Sequence, residues 1–120
     1  MGDKFMNTFE EIKGGPAAEC HGGNGVLYCR NMLKGIPSES FNFFHHDILK
    51  KGVSIGEHPH TTEEIWYLTE GAGTLYSDGA AYPLKAGDFS ICLKGHSHAF
   101  TATSDEDCVL IVVGVKEKAE

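Results

Sequence analysis

Four side chains have the types and the spacing of metal ligands. His58 and His60 are two residues apart, so both imidazoles project from one face of an extended chain, and Glu64 keeps that parity four residues later. His98 follows several short segments later, where a neighbouring antiparallel strand would bring it opposite the first three. Three imidazoles and one carboxylate suit one divalent first-row metal ion, and an octahedral ion so held keeps two positions for water or substrate. The pattern predicts a working metal site rather than a closed structural one.

These ligands have to be positioned by β-strands, because most of the chain reads as short apolar runs separated by turn residues. The pair Asp78-Gly79 is a strong hairpin signal, and no interior segment has the length and period of a helix. Many short strands at this spacing are typical of a sandwich or a barrel, in which closure removes exposed sheet edges. We predict strands over residues 26–32, 41–49, 53–57, 64–68, 73–77, 81–84, 89–93, 98–101 and 108–115.

The candidate ligands lie in two motifs that resemble those of the cupin superfamily. Residues 52–71 read Gly52-x5-His58-x-His60-x3-Glu64-x6-Gly71, which fills every defining position of the first cupin motif. Residues 87–102 are similar to the second motif, with its opening Gly87-Asp88, its later Gly95 and its metal-binding His98. Leu93 and Ala102 stand where the family usually has proline and asparagine. Neither is a metal ligand, so these departures concern loop geometry and subfamily more than metal binding.

The resemblance implies an all-β fold, the jelly-roll barrel or double-stranded β-helix of cupins, which often forms homodimers. It also implies one divalent metal ion at His58, His60, Glu64 and His98, with Mn, Fe, Ni, Zn or Cu as the family's metals. It does not imply a reaction, because this scaffold hosts dioxygenases, decarboxylases, isomerases, lyases and non-enzymatic binders. The expected organisation is an N-terminal arm with turns over residues 1–24 and a single barrel domain over residues 25–120.

The N-terminal segment allows two interpretations. Phe5, Met6, Phe9 and Ile12 fall at helical spacing, which predicts a short amphipathic helix. An extended arm that crosses onto a partner subunit fits the same residues. The glycine clusters that follow, 14–16 and 22–25, read as turns before the first strand.

Two further histidines are candidates for moving a proton. His45 and His46 are adjacent and face opposite ways in a strand, and parity does not decide which one is inside. We take His46 as the candidate catalytic residue, although it also fits a packed face. His96 shares the parity of His98 and is the second candidate, although the preceding Gly95 turn is also compatible with a rim position.

Four residues are candidates for the substrate pocket. Trp66 has the parity of Glu64 and Phe100 that of His98, so both are expected to form an apolar pocket wall. Tyr28 and Arg30 share one face of an early strand, where an inward Arg30 would clamp a substrate carboxylate. An outward Arg30 would be a plain surface cation.

The composition limits the possible partners. A formal net charge of −7 with scattered bases gives no footprint for nucleic acid or an anionic membrane surface. The longest uncharged apolar stretch, residues 109–115, is too short to cross a bilayer, and the N-terminus lacks the layout of a signal peptide. We therefore expect a cytoplasmic protein with a small-molecule ligand and reduced cysteines.

Two functions follow from these observations. The first is a metalloenzyme that acts on a small polar metabolite, such as a hydroxy acid, a keto acid or a sugar derivative. Its chemistry would be isomerisation, lyase cleavage or decarboxylation, or dioxygenation if the ion is iron. The alternative is a non-catalytic cupin that binds a small molecule or a metal at the same site.

Overall fold

Ten antiparallel strands form two sheets in the computed structural model of the chain, which describes residues 2–117. A short 3₁₀ turn, Cys20–Gly22, separates the first two strands. Within the described residues, no helix is long and apolar enough to span a bilayer. The strands are β1 (Gly15–Ala18), β2 (Val26–Asn31), β3 (Phe41–Leu49), β4 (Ser54–Pro59), β5 (Glu64–Glu70), β6 (Ala72–Ser77), β7 (Ala80–Lys85), β8 (Phe89–Cys92), β9 (Ser97–Ala102) and β10 (Cys108–Val115).

The strands are divided between a six-stranded sheet of order β1-β2-β3-β10-β5-β8 and a four-stranded sheet of order β4-β9-β6-β7. Successive strands often lie in different sheets, so the chain crosses repeatedly from one layer to the other. This arrangement confirms the predicted all-β jelly-roll fold. All nine predicted strands form, and their bounds differ from the prediction by at most two residues.

The core lies between the two sheets and is filled by the inward side chains of alternating strand residues. Along β5, Trp66 and Leu68 are buried, whereas Ile65 and Tyr67 face outward as their parity predicts. Each fully buried large side chain contributes about 1.5–3 kcal/mol through removal of apolar surface from water. The largest of these are Trp66, Phe100, Leu49, Leu68, Leu110 and Cys108.

The N-terminal segment does not form the predicted helix. Reciprocal hydrogen bonds between Thr8 and Glu11 resemble a capping box, but they close only a single turn. The chain then extends into β1, which the sequence interpretation treated as turn residues and which pairs with β2 in the register Gly15↔Cys29. The amide of Asn7 donates to the carbonyls of Met32 and Lys34, so the segment lies as an arm along its own barrel.

The close packing of Gly73 against a core side chain gives a stability prediction. A Cβ atom at Gly73 would overlap the ring of the fully buried Phe100 and lie 2.5 Å from the carbonyl oxygen of Thr101. We expect Gly73→Ala to lower the free energy of unfolding by about 1–3 kcal/mol, because the core has no room for an added methyl group. Chemical denaturation measures this loss. Gly15→Ala is the control, since its Cβ would meet nothing within 4 Å, and equal stability of the two variants would contradict the packing described.

Candidate metal centre

The four predicted ligands converge between the two sheets. His58 on β4 lies directly opposite His98 on β9, in the four-stranded sheet. His60 follows the end of β4, and Glu64 is the first residue of β5 in the other sheet. One ligand atom from each of the four residues lies within 4.8 Å of the others.

Three of these atoms are spaced like neighbouring ligands of one ion. The Nε2 atoms of His60 and His98 are 2.8 Å apart, and Glu64 Oε2 lies 2.9 Å from His98 Nε2 and 3.3 Å from His60 Nε2. With metal–ligand bonds of about 2.1 Å, two ligands at a right angle are about 3 Å apart. The observed distances therefore match three adjacent positions around one cation.

The protonation states of His58 and His60 also suit metal binding. The Nδ1 of His58 donates to the carbonyl oxygen of Gly56 at 2.7 Å, which leaves the lone pair on Nε2. Burial lowers the pKa of His58 to about 4, and it also lowers the pKa of His60. Both imidazoles are consequently neutral near pH 7, with a nitrogen free to bind a metal ion.

Glu64 supplies the negative charge of the site. Burial acts to raise the pKa of its carboxyl, but the hydrogen bond with His98 and the attraction that His60 exerts in its protonated form outweigh burial and hold the pKa below its ordinary value. The indole Nε1 of Trp66 donates to Glu64 Oε2 at 2.9 Å. This bond fixes the ionised carboxylate in position.

Trp66 also orients His98. The two rings are stacked at 17° with their centroids 3.6 Å apart. The Nδ1 of His98 is buried and has no hydrogen-bond partner within the described residues. In many metal-binding histidines this nitrogen donates to a carbonyl oxygen, which fixes the ring. In His98 the stacked indole of Trp66 fixes the ring instead. The neutral imidazoles of His58 and His60, the ionised carboxylate of Glu64 and the spacing of the cluster fit a divalent cation, and the four residues could hold one.

The 3₁₀ turn brings a further histidine, His21, onto this cluster. Its ring stacks on that of His58 with centroids 3.6 Å apart at an angle of 10°. A Cβ at Gly56 would collide with the carbonyl oxygen of His21, so glycine at this position permits the close approach. The sequence interpretation missed His21, because it lies in a glycine-rich segment that has no strand parity.

A cavity of about 330 Å³ opens beside the ligands. Its walls are largely apolar, and within the described part of the chain no lysine or arginine lines it. Asp47 and Glu64 are its two carboxylates. The lining residues are Ala17, Cys20, His21, Leu27, Cys29, Phe43, His45, Asp47, Ile55, His58, His60, Glu64, Trp66 and Val112.

Three predicted site residues lie on the opposite face of their strands, outside the cavity. His46 packs edge-on against Phe9, with ring centroids 5.1 Å apart. The guanidinium of Arg30 lies 3.7 Å from the centre of the Phe9 ring and donates to the carbonyl of Ile12, and the Tyr28 hydroxyl donates to the carbonyl of Gly14. The prediction of a pocket position for these three is corrected: they hold the N-terminal arm against the outer surface of the sheet.

The remaining predicted residues have mixed positions. Trp66 lines the cavity, whereas Phe100 packs behind it in the core with ring centroids 6.4 Å apart. The His96 side chain is on the rim, hydrogen-bonded to the exposed Asp78. Its backbone carbonyl accepts from the amide of His60 at 3.0 Å, so this loop positions a ligand through its main chain rather than through the imidazole.

The inward faces of β2 and β3 bring Cys29, His45 and Asp47 to the cavity instead. Cys29 lies opposite Asp47 in the register, and His45 precedes Asp47 by two residues on the same face. The sequence interpretation named His45 only as the alternative to His46, and it missed the other two. The one acidic residue of β3, Asp47, was the available signal.

Asp47 is the most strongly perturbed carboxyl of the cavity. Burial raises its pKa to about 6, the neighbouring Glu64 adds to the rise, and the hydrogen bond from the Cys29 thiol offsets only part of it. Its ordinary pKa of about 4 applies in the unfolded chain. Between these two values the folded protein holds a proton that the unfolded chain releases, so stability falls as the pH rises through this window.

We expect Asp47→Asn to stabilise the metal-free protein at pH 7.5 by up to about 3 kcal/mol, because it removes a buried charge. At pH 4 most of the gain should disappear, since Asp47 is protonated there in the folded protein and about half protonated in the unfolded chain. Thermal unfolding in a chelating buffer across pH 4–8 measures the difference. Asp105→Asn is the control, because that side chain is 94% exposed, and an Asp47→Asn variant destabilised equally at every pH would contradict the account.

The sequence of this chain is similar to a protein family and to a curated relative. Residues 45–114 match the family model for the cupin domain. A curated relative, 5-nitrosalicylic acid 1,2-dioxygenase from Bradyrhizobium sp., is 29% identical over 80 residues, which cover 67% of this chain and 39% of that protein. The chain thus spans about two fifths of the length of this relative.

Among the solved structures that share the fold are two that cover most of this chain. One is described as a predicted oxalate decarboxylase from Thermotoga maritima; it is 26% identical, with a TM-score of 0.82 over 95% of this chain and 100% of that one. The polyketide cyclase RemF from Streptomyces resistomycificus is 18% identical, with a TM-score of 0.79 over 98% of this chain and 82% of that one, a likeness that shows the fold alone. Since residues 45–114 are more than half of the sequence, the family match shows that this chain belongs to the cupin family.

Proposed function

We propose that this chain is a metalloenzyme whose ion binds a small hydroxy or keto acid through two adjacent oxygen atoms. The observation that carries this proposal is the convergence of three imidazoles and one carboxylate beside a cavity of about 330 Å³. A divalent ion held there would act as a Lewis acid with two positions open to substrate. His58, His60, Glu64 and His98 hold the ion, and Trp66 keeps two of them in place.

The lining of the cavity supports an organic acid as the substrate class. Because no lysine or arginine of the described chain lines the cavity, a substrate carboxylate has only the ion to neutralise it. The apolar walls, which include Leu27, Ile55 and Val112, suit a short hydrocarbon or aromatic body.

Two of the named relatives fit this substrate class. One acts on a nitrosalicylic acid and the other is described as a predicted oxalate decarboxylase, and both of these acids offer two oxygen donors to a single ion. The reaction depends on the metal. Iron would bind dioxygen and substrate together and favour dioxygenation, whereas manganese, nickel or zinc would favour decarboxylation, isomerisation or lyase cleavage.

We also propose that the protein acts in the cytoplasm as a homodimer. The outer face of β5 and β8 supports the dimer, because it exposes a contiguous set of apolar side chains typical of protein interfaces. These residues are Ile65, Tyr67, Phe89 and Ile91.

The test of the enzyme proposal combines metal content with turnover. We expect protein purified without chelator to contain about one equivalent of metal at this site, and His98→Ala to lose at least about nine tenths of it, because a ligand is removed. Mass spectrometry measures the metal, and an oxygen electrode with product analysis follows a panel of small hydroxy and keto acids. His96→Ala is the matched control, since this imidazole lies outside the cavity, and should keep both metal and turnover.

Three results would contradict the proposal. One is a wild-type protein that stays metal-free when Fe²⁺, Mn²⁺, Ni²⁺ and Zn²⁺ are supplied in turn. Another is unchanged metal content in His98→Ala. Saturable binding of acids with no product from any panel compound would instead identify the non-catalytic cupin that the sequence left as the alternative.

A further inference from the structure

A second set of ligand-type side chains faces the cavity from the six-stranded sheet. Cys29 on β2 is directly opposite Asp47 on β3, and His45 shares the face of Asp47. A thiol, an imidazole nitrogen and a carboxylate oxygen from these residues lie within 4.8 Å of one another. None of the three belongs to the cluster formed by His58, His60, Glu64 and His98.

The state of Asp47 indicates that this set is more than packing. The residue is only 4% exposed, and its Oδ1 has no hydrogen-bond partner within the described residues. Buried carboxylates in folded proteins are normally paired with a cation or with several donors. The one arginine of the sequence, Arg30, points to the opposite face of the sheet, so it does not pair with the carboxylate of Asp47.

We propose that Cys29, His45 and Asp47 form a second metal site, which opens into the same cavity and binds a thiophilic divalent cation such as Zn²⁺. Sulfur, imidazole and carboxylate donors together suit zinc, and three protein ligands leave a fourth position open toward the cavity. The first cluster has no sulfur donor, so the two sites differ in the ions they prefer.

The thiol must lose its proton when the ion binds. Burial raises the pKa of Cys29 to about 12, and the nearby Asp47 and Cys20 contribute to the rise, so the sulfur is protonated in the metal-free protein. The S–H bond breaks, the sulfur–metal bond forms, and the proton passes to solvent.

This inference does not depend on the proposed enzymatic function, because metal binding at the second site needs no substrate and no ion at the first. It predicts a spectroscopic signature that three histidines and a glutamate do not give. A cobalt ion bound to a thiolate shows an intense sulfur-to-metal charge-transfer band in the near ultraviolet, whereas a cobalt ion bound only by nitrogen and oxygen does not.

The test is titration of the chelator-treated full chain with Co²⁺, followed by absorption spectroscopy and metal analysis. We expect two equivalents of bound cobalt and a thiolate band in the wild type. Cys29→Ser should lose the band and one equivalent, and His98→Ala should lose one equivalent but keep the band. Cys108→Ser is the matched control, because its sulfur donates to the carbonyl of Ala72 away from the cavity and serine preserves that bond, so it should behave as the wild type.

Asp47→Asn keeps the shape of the site and provides a second test in case the Cys29 variant does not fold. It should weaken binding of the thiolate-bound cobalt at least about tenfold while leaving the other equivalent in place. A wild-type protein that binds cobalt without a thiolate band would overturn the proposal. A band that persists in Cys29→Ser would overturn it as well, because the sulfur would then come from another cysteine.

Discussion

The site depends on one constraint, the confinement of two imidazole nitrogens and a carboxylate oxygen to within 3.3 Å of one another inside a β-barrel. Groups that carry lone pairs repel one another at this distance unless a cation or a proton lies between them. The barrel holds them there because the backbone of His60 is hydrogen-bonded to Gly95 and His96, just before His98, while Glu64 reaches both imidazoles from the opposite sheet. Trp66 restrains both sides of the contact through its bond to Glu64 and its stack on His98.

The two faces of the β2–β3 hairpin contact different parts of the molecule. The inner face brings Cys29 and Asp47 to the cavity, and the outer face uses Arg30 and His46 to hold the N-terminal arm. The cavity therefore contains two carboxylates and no cationic side chain of the described residues, which makes it a region that attracts metal ions. An anionic substrate would bind in such a region by coordinating an ion that is already bound there.

Much of the fold could be predicted from the sequence, because glycine turns and alternating apolar residues mark nine of the ten strands in the described chain. β1 was missed because Gly14-Gly15-Pro16 has the composition of a turn, and only pairing with β2 makes it a strand. The convergence of His58, His60, Glu64 and His98 was predicted, but for Glu64 the reasoning was wrong. The chain leaves β4 after Pro59 and changes sheet, so Glu64 meets the histidines across the barrel rather than along one extended face.

The inward face of β3 could not be predicted, because Phe43-Phe44 and His45-His46 place the same residue types on both sides of the strand. The choice between them is made by the sheet as a whole, in which Leu49 is fully buried and sets the parity of Asp47 and His45. The same register places Cys29 rather than Arg30 toward the cavity. The residue types along such a strand are compatible with either face pointing inward, and tertiary packing decides between the two faces.

The most direct measurement of the central claim is a crystal structure of the Mn²⁺-loaded protein with anomalous scattering recorded at a manganese absorption edge. The account predicts an anomalous peak bonded at about 2.1 Å to Nε2 of His58, His60 and His98 and to a carboxylate oxygen of Glu64. No peak at this position, or a refined structure in which the imidazole of His98 lies beyond bonding distance of the ion, would contradict it.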